Sequence, residues 1–210
     1  MNYYIIAGEA SGDLHGSNLM KALLNKDVNA NFRFWGGDLM QQVSDGLVKH
    51  YKDLAFMGFL EVIMNLKAIF KNLSFCKEDI LNYNPDVIIF IDYPGFNLRI
   101  AKWAKTKGFK NHYYISPQIW AWKESRVKQM KLILDALYVI LPFEKNYFEQ
   151  RHQFPVHYVG HPLMDELSKY LKSCQFVTAK SATIFNRSPF LNPMPKPCSG
   201  GKVISPCLSV

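Results

Sequence analysis

The run Asp86-Val-Ile-Ile-Phe-Ile-Asp92 carries no polar side chain between its two aspartates. A strand built from it must therefore be covered on both faces, which is the situation of a central strand in a parallel sheet with helices on either side. The neighbouring chain agrees with that placement. Short β-branched or aromatic runs predict strands at 3–7, 31–35, 87–92, 111–115, 136–141 and 156–159, and helical spacing predicts helices at 14–24, 59–81, 98–107, 123–134 and 144–151. The stretch 36–55 shows no clear period.

This alternation predicts an α/β fold, a Rossmann-like doubly wound and mostly parallel sheet, whose sites lie at the carboxyl ends of its strands. The texture changes after Tyr170. Residues 171–210 hold five prolines, six serines, the pair Gly200-Gly201 and no acidic residue. We expect a body over 1–170 and an irregular, low-order tail over 171–210. The tail also accounts for most of the net charge: its five Lys and Arg residues leave only +3 of the total +8 on the body. That balance gives no reason to expect a nucleic-acid partner. One of the four cysteines lies in the body and no CxxC pair occurs, so neither a zinc site nor a disulfide framework is indicated. The histidines show no metal-ligand spacing, and no metal is expected. The first residues lack the basic lead and apolar stretch of a secretion signal, and no apolar run reaches spanning length, so the cytoplasm is the expected compartment.

Three constellations follow strands. Gly8-Glu9-Ala10-Ser11-Gly12-Asp13 lies between the first strand and first helix, where glycines free the backbone and helix N–H groups face an anion. Ser11 and Asp13 suit either a helix cap or a sugar hydroxyl. The glycines at 8, 12 and 16 fit neither the dinucleotide fingerprint nor a Walker loop, which disfavours a nucleotide-dependent oxidoreductase. Asp92 closes the buried strand before Tyr93-Pro94-Gly95-Phe96-Asn97. It is placed for general-base work, its pKa raised by apolar neighbours, or for a turn or helix cap. The third, Tyr113 to Lys123 with Arg126, reads as a binding wall with aromatic faces and a phosphate-holding cation, or as an aromatic plug in the core.

A fourth feature is the helix expected over 59–73. Phe59, Val62, Ile63, Leu66, Ile69, Phe70 and Leu73 form one stripe, which Leu60 and Met64 widen toward Lys67 and Lys71. That width suits either a membrane surface or burial on two sides.

The segments GEASGDLHG, LAFMGFLEVIMNL, PDVIIFIDYPGFN, YYISPQIWAWKESRV, ILPFEKNYF and YVGHPLMDEL resemble, in order, the signature segments of the lipid-A-disaccharide synthase family. One departure is Gly95, where many members carry a second aspartate. The resemblance implies one half of a GT-B glycosyltransferase, built from two Rossmann-like domains facing across a cleft. It implies an inverting hexosyl transfer, without metal or other cofactor, from UDP-2,3-diacylglucosamine to 2,3-diacylglucosamine 1-phosphate in lipid A biosynthesis. By position, Asp92 is then the general base. Glu9, Ser11, Gly12 and Asp13 line the cleft, and Asn97, Gln118, Trp122 and Arg126 shape the acceptor side. Leu60, Val62, Ile63, Leu66, Ile69 and Phe70 form a patch that meets the inner membrane from the cytoplasm, as in a peripheral enzyme. The motifs of a second, UDP-binding domain are not found in 171–210. A frame disruption near residue 171 or a truncated gene is expected, leaving an inactive half; the alternative is a non-catalytic half-domain that binds membrane or acylated lipid.

Overall fold

The computed structural model describes residues 1–54, 66–122, 124–168 and 170–171. The chain divides into two units, Met1–Met164 and Asp165–Val210. In the second, residues 165–168 and 170–171 are helical; beyond residue 171, the tail expected over 171–210 lies outside the described residues.

The first unit runs β1 (Asn2–Ala7), α1 (Ala10–Leu24), β2 (Asn31–Gly36), α2 (Asp38–Gln41), β3 (Leu47–His50) and a 3-10 turn (Tyr51–Asp53). It resumes with α3 (Leu66–Tyr83), β4 (Val87–Ile91), α4 (Pro94–Thr106), β5 (Asn111–Tyr114), α5 (Ile119–Trp122) and α6 (Arg126–Ile133). It ends with β6 (Ala136–Val139), α7 (Pro142–Asn146), a π turn (Tyr147–Arg151) and β7 (His157–Tyr158). All seven strands are parallel, in the order β3-β2-β1-β4-β5-β6-β7. The order reverses between β1 and β4, and the crevice at such a reversal, outside the carboxyl ends of the strands, is where open α/β sheets bind ligands.

Every residue of β4 is buried. Ile88 and Phe90 join the core that also holds Phe96, Ile100 and Leu137, while Val87, Ile89 and Ile91 join Phe34, Met20 and Met40. The strand thus feeds two cores through its two faces, as its composition requires.

Several boundaries differ from the sequence expectation, each for a local reason. The first helix starts at Ala10 rather than Leu14, because the small residues Ala10, Ser11 and Gly12 form a first turn close to the sheet. The helix expected from Leu98 starts at Pro94, since a proline at the first helical position has no N–H to leave unpaired. The unclear stretch contains β3, all of whose residues are only half-buried. Of the helix expected over 59–81, the part before residue 66 lies outside the described residues.

A polar network crosses from the sheet to α3. Asp79, buried, accepts from the Tyr4 hydroxyl at 2.7 Å and from Nε and Nη2 of Arg33 at 2.8 and 2.6 Å. The Trp35 indole in turn donates to the Tyr4 oxygen at 2.9 Å. Replacing Asp79 by alanine leaves a buried hydroxyl without its acceptor and a cation without its partner. Because Arg33 keeps access to water, the expected loss is at the lower end for a broken ion pair, about 3 kcal/mol in urea denaturation. An unchanged denaturation midpoint would show the network to be energetically idle.

Candidate functional site

The segments after β1, β4 and β5 meet at the carboxyl edge of the sheet, because these strands are neighbours. After β1 the chain turns at Gly8, and a Cβ there would lie 2.4 Å from the Tyr93 ring. Glycine at this position lets the aromatic ring from the β4 turn lie directly on the β1 turn. Glu9 is exposed at the start of α1 beside Ser11, also exposed. Partial desolvation, and then the negative charge of Asp92, raise the Glu9 pKa. Two carboxylates from adjacent turns therefore share one field.

Asp92 and Tyr93 both have left-handed backbone, with φ of 44° and 48°, and Ile115 at the end of β5 has φ of 65°. Non-glycine residues in that region cost about 1–3 kcal/mol each and persist only where the surroundings hold them. Here the hold is visible. The Asp92 carbonyl accepts from the Asn97 amide at 2.7 Å and from the Tyr113 hydroxyl, and its N–H donates to the Tyr114 carbonyl at 3.3 Å. The same Asn97 amide reaches the carbonyls of Ile91 and Ile6, tying the ends of β4 and β1 together. The Asp92 backbone is thus fixed at the crevice, and the residue is half-buried there. Burial raises its pKa, opposed by a hydrogen bond from the Tyr93 N–H and by the charge of His15.

On one side of this turn is a recess of about 240 Å³, in which Asp92, Ser116, Gln118 and Arg126 stand among apolar residues such as Pro94, Ile115 and Ile140. Glu144, 1% exposed, braces its wall by accepting from the N–H groups of Ile140 and Leu141 and from the Trp120 indole. On the other side is a pocket of about 510 Å³, walled by Gly8, Leu54, Ile69, Tyr93 and Phe96, with Glu9 and Arg99 also on its lining.

The structure therefore brings Asp92, Gln118 and Arg126 into one recess and puts Glu9 on the lining of the neighbouring pocket, within the field of Asp92, but it turns three other expected contacts inward. Asp13 is 3% exposed and accepts from the N–H groups of Gly37, Leu39 and Met40 at 2.8–3.0 Å, so it caps α2 instead of lining the cleft. Asn97 is fully buried on backbone carbonyls, and Gly12 packs on the Ala7 side chain. The Trp122 backbone is helical; its side chain, like that of Leu66, lies outside the described residues, as do Leu60, Val62 and Ile63 entirely. Of the remaining patch residues, Ile69 packs on the core and Phe70 is exposed.

Three residues that the sequence reading passed over belong to the site. His15 is buried and acts electrostatically on Asp92. Its signal was a position on α1 below the first turn. Arg99 stands one helical turn after Gly95, and Tyr51 enters from the segment whose period was unclear. Among the described residues no group of His, Cys, Asp and Glu could hold a metal ion, and no helix is long and apolar enough to cross a membrane.

Comparison with known proteins gives the family. Two solved structures show the same fold: a UDP-GlcNAc 2-epimerase from Neisseria meningitidis bound to UDP-GlcNAc, and a putative UDP-N-acetylglucosamine 2-epimerase from Listeria monocytogenes. The first superposes with a TM-score of 0.59 at 13% identity, over 91% of this chain and 54% of that one. The second gives 0.52 at 11% identity, over 71% and 41%. Relatives by sequence include the lipid-A-disaccharide synthase of Geobacter metallireducens, 42% identical over 175 residues, which are 83% of this chain and 45% of that protein. That of Chromohalobacter salexigens is 41% identical over 169 residues, 80% of this chain and 43% of that protein. The chain thus spans under half the length of these relatives. The family profile of lipid-A-disaccharide synthetase matches residues 3–195, which includes the β1, β4 and β5 turns and continues into the segment expected to be irregular. The chain belongs to the lipid-A-disaccharide synthetase family.

Proposed function

We propose that this chain supplies the acceptor side of an inverting hexosyltransferase. The reaction moves 2,3-diacylglucosamine from UDP to the 6-hydroxyl of 2,3-diacylglucosamine 1-phosphate. The observation that carries the reading is Asp92, held on strained backbone at the reversal point of the sheet, with a raised pKa and with Gln118 and Arg126 in the same recess. In the transfer, the Asp92 carboxylate takes the proton of the acceptor hydroxyl. The oxygen forms a bond to the anomeric carbon as the bond to UDP breaks on the opposite face, and UDP departs with the electron pair. Gln118 bonds the acceptor sugar and Arg126 pairs with its phosphate. Ser11 and Glu9 border the cleft, while Asp13, Gly12 and Asn97 serve by fixing the turns. No metal is assigned a part in this scheme. Contact with the cytoplasmic face of the inner membrane is supported by the outer face of α3, where Phe70 and Phe75 are exposed beside Lys67 and Lys71.

The experiment is a chimaera in which residues 1–168 replace the matching segment of the Geobacter metallireducens protein. Formation of the disaccharide from radiolabelled UDP-2,3-diacylglucosamine supports the proposal; a folded chimaera without turnover removes it. The electrostatics are testable in the 210-residue chain itself. Titrated by the carbon-13 shift of its carboxyl, Asp92 is expected to lose its proton above the ordinary aspartate range. His15→Ala removes a favourable charge and should raise that midpoint, whereas Asp92→Asn removes the charge that raises the Glu9 pKa and should lower the midpoint of Glu9. Unmoved midpoints in both variants would mean that neither His15 nor Glu9 faces Asp92.

A further inference from the structure

The turn at Asp92 and Tyr93 separates two spaces. The recess on the Asp92 side sets Asp92, Ser116, Gln118 and Arg126 among apolar neighbours such as Pro94, Ile115 and Ile140. The pocket on the Tyr93 side offers mainly apolar or aromatic wall, including Leu54 and Phe96, which are otherwise core residues at 4% and 5% exposure. Its volume, about 510 Å³, lies within the range of small-molecule sites. Arg99, exposed on α4, is on the same lining and forms no ion pair among the described residues. An open, mainly apolar hollow with a guanidinium on its lining, next to the recess that carries Asp92, Gln118 and Arg126, is complementary to an amphiphile whose chain leaves its head through a carbonyl.

We infer that this pocket holds one acyl chain of the acceptor, and that Arg99 donates to the carbonyl joining the chain to the sugar. The inference rests on the acceptor-side reading above and deepens it. The chain end packs between Ile69 of α3 and Phe96 of α4, and the Tyr93 ring, stacked on Gly8 and 5.9 Å from Phe96, forms the partition. The strained turn then has a second use. By holding the carboxylate on one side and the ring on the other, it fixes the sugar hydroxyl relative to the anchored chain.

The test is calorimetric titration of the 210-residue chain with N-acylglucosamines of increasing chain length, each kept below its micellar concentration. Affinity is expected to rise about fourfold per methylene, the equivalent of ~0.8 kcal/mol, and then to level off once the pocket is filled. Gly95→Trp places a large ring on the lining, at a position where an added Cβ meets nothing within 4 Å, so the fold tolerates it. That variant should abolish the dependence on chain length. Arg99→Gln should weaken every acylated ligand by roughly tenfold and leave glucosamine unaffected. Circular dichroism establishes that both variants are folded. A chain-length series that never levels off, or that is unchanged in folded Gly95→Trp, overturns the inference and sends the chains to another surface, such as the outer face of α3. The ligands carry no nucleotide, so the two readings fail separately. A levelling series beside an inactive chimaera sinks only the transferase, and an active chimaera without levelling sinks only the pocket.

Discussion

Asp92→Asn in the chimaera is expected to lower kcat by roughly 10²–10⁴-fold, the usual worth of a general base, with KM little changed. The two parameters separate because the proton moves in the transition state, whereas the recess that binds the sugar keeps its shape. Asparagine is nearly isosteric with aspartate and is one of the few residues enriched in left-handed backbone, so the turn with φ of 44° survives the change. The bonds to the Asp92 carbonyl and N–H do not involve its side chain and persist, and the asparagine side-chain oxygen can still accept from the Tyr93 N–H. A loss of less than about tenfold would take Asp92 out of the base's role. The same substitution has an opposite effect on stability. Burial raises the Asp92 pKa in the fold, so the ionised form is disfavoured there relative to the unfolded chain. Above the folded pKa that difference is a fixed cost to folding, and below the ordinary carboxylate range both states are protonated and the cost vanishes. In the 210-residue chain, Asp92→Asn should therefore raise Tm near pH 7 and leave it unchanged near pH 3. A residue that destabilises its fold while it accelerates a reaction is what a functional site leads one to expect.

The legible parts of this fold were those carried by local pattern. Five consecutive apolar residues between Asp86 and Asp92 announced a central strand, and the structure buries all five. Glycine spacing, Pro94-Gly95 and the aromatic run after Tyr113 located the three turns that meet at the sheet edge. The parts that were not legible depend on partners distant in the chain. Leu47–His50 is an edge strand with no fully buried residue, so it lacks the apolar signature that marks an interior one. Asp13 reads as a sugar ligand or as a cap of its own helix, yet its partners are N–H groups 24 to 27 residues away. Asn97 likewise looks exposed in the sequence because it follows a turn, and it is buried because its amide reaches the ends of two strands. The strain at Asp92 and Tyr93 leaves no compositional trace, since neither is the glycine that such backbone usually selects. Arg99 and His15 gain their meaning only once the helices that carry them are set against β4.

The largest expected effect on stability comes from Gly46→Ala. A Cβ built at Gly46 falls 1.8 Å from the Phe32 carbonyl oxygen and 2.8 Å from its carbon. The obstacle is backbone in β2, a strand anchored on its other side by β1, so no rotamer change relieves it. The residue cannot simply swing away either, because its own carbonyl accepts the Phe34 N–H at 2.9 Å and begins the pairing of β2 with β3. The register between these strands already shifts between Phe34 and Trp35, and the close approach at Gly46 lies at the entry to that irregularity. Alanine must therefore open the β2–β3 edge, at a cost of about 3 kcal/mol or more. The control is the same substitution at Gly95, where an added Cβ meets nothing within 4 Å. There alanine restricts the unfolded chain and favours the first turn of α4, so stability should rise by about 0.5–1 kcal/mol. Urea denaturation of both variants against the parent chain measures the contrast. Because β3 precedes Tyr51 and Leu54, which line the pocket, Gly46→Ala should also weaken binding of acylated glucosamine in whatever fraction stays folded. Equal denaturation midpoints for Gly46→Ala and the parent would mean that β3 does not pair with β2 as described, and the pocket wall built on it would have to be redrawn.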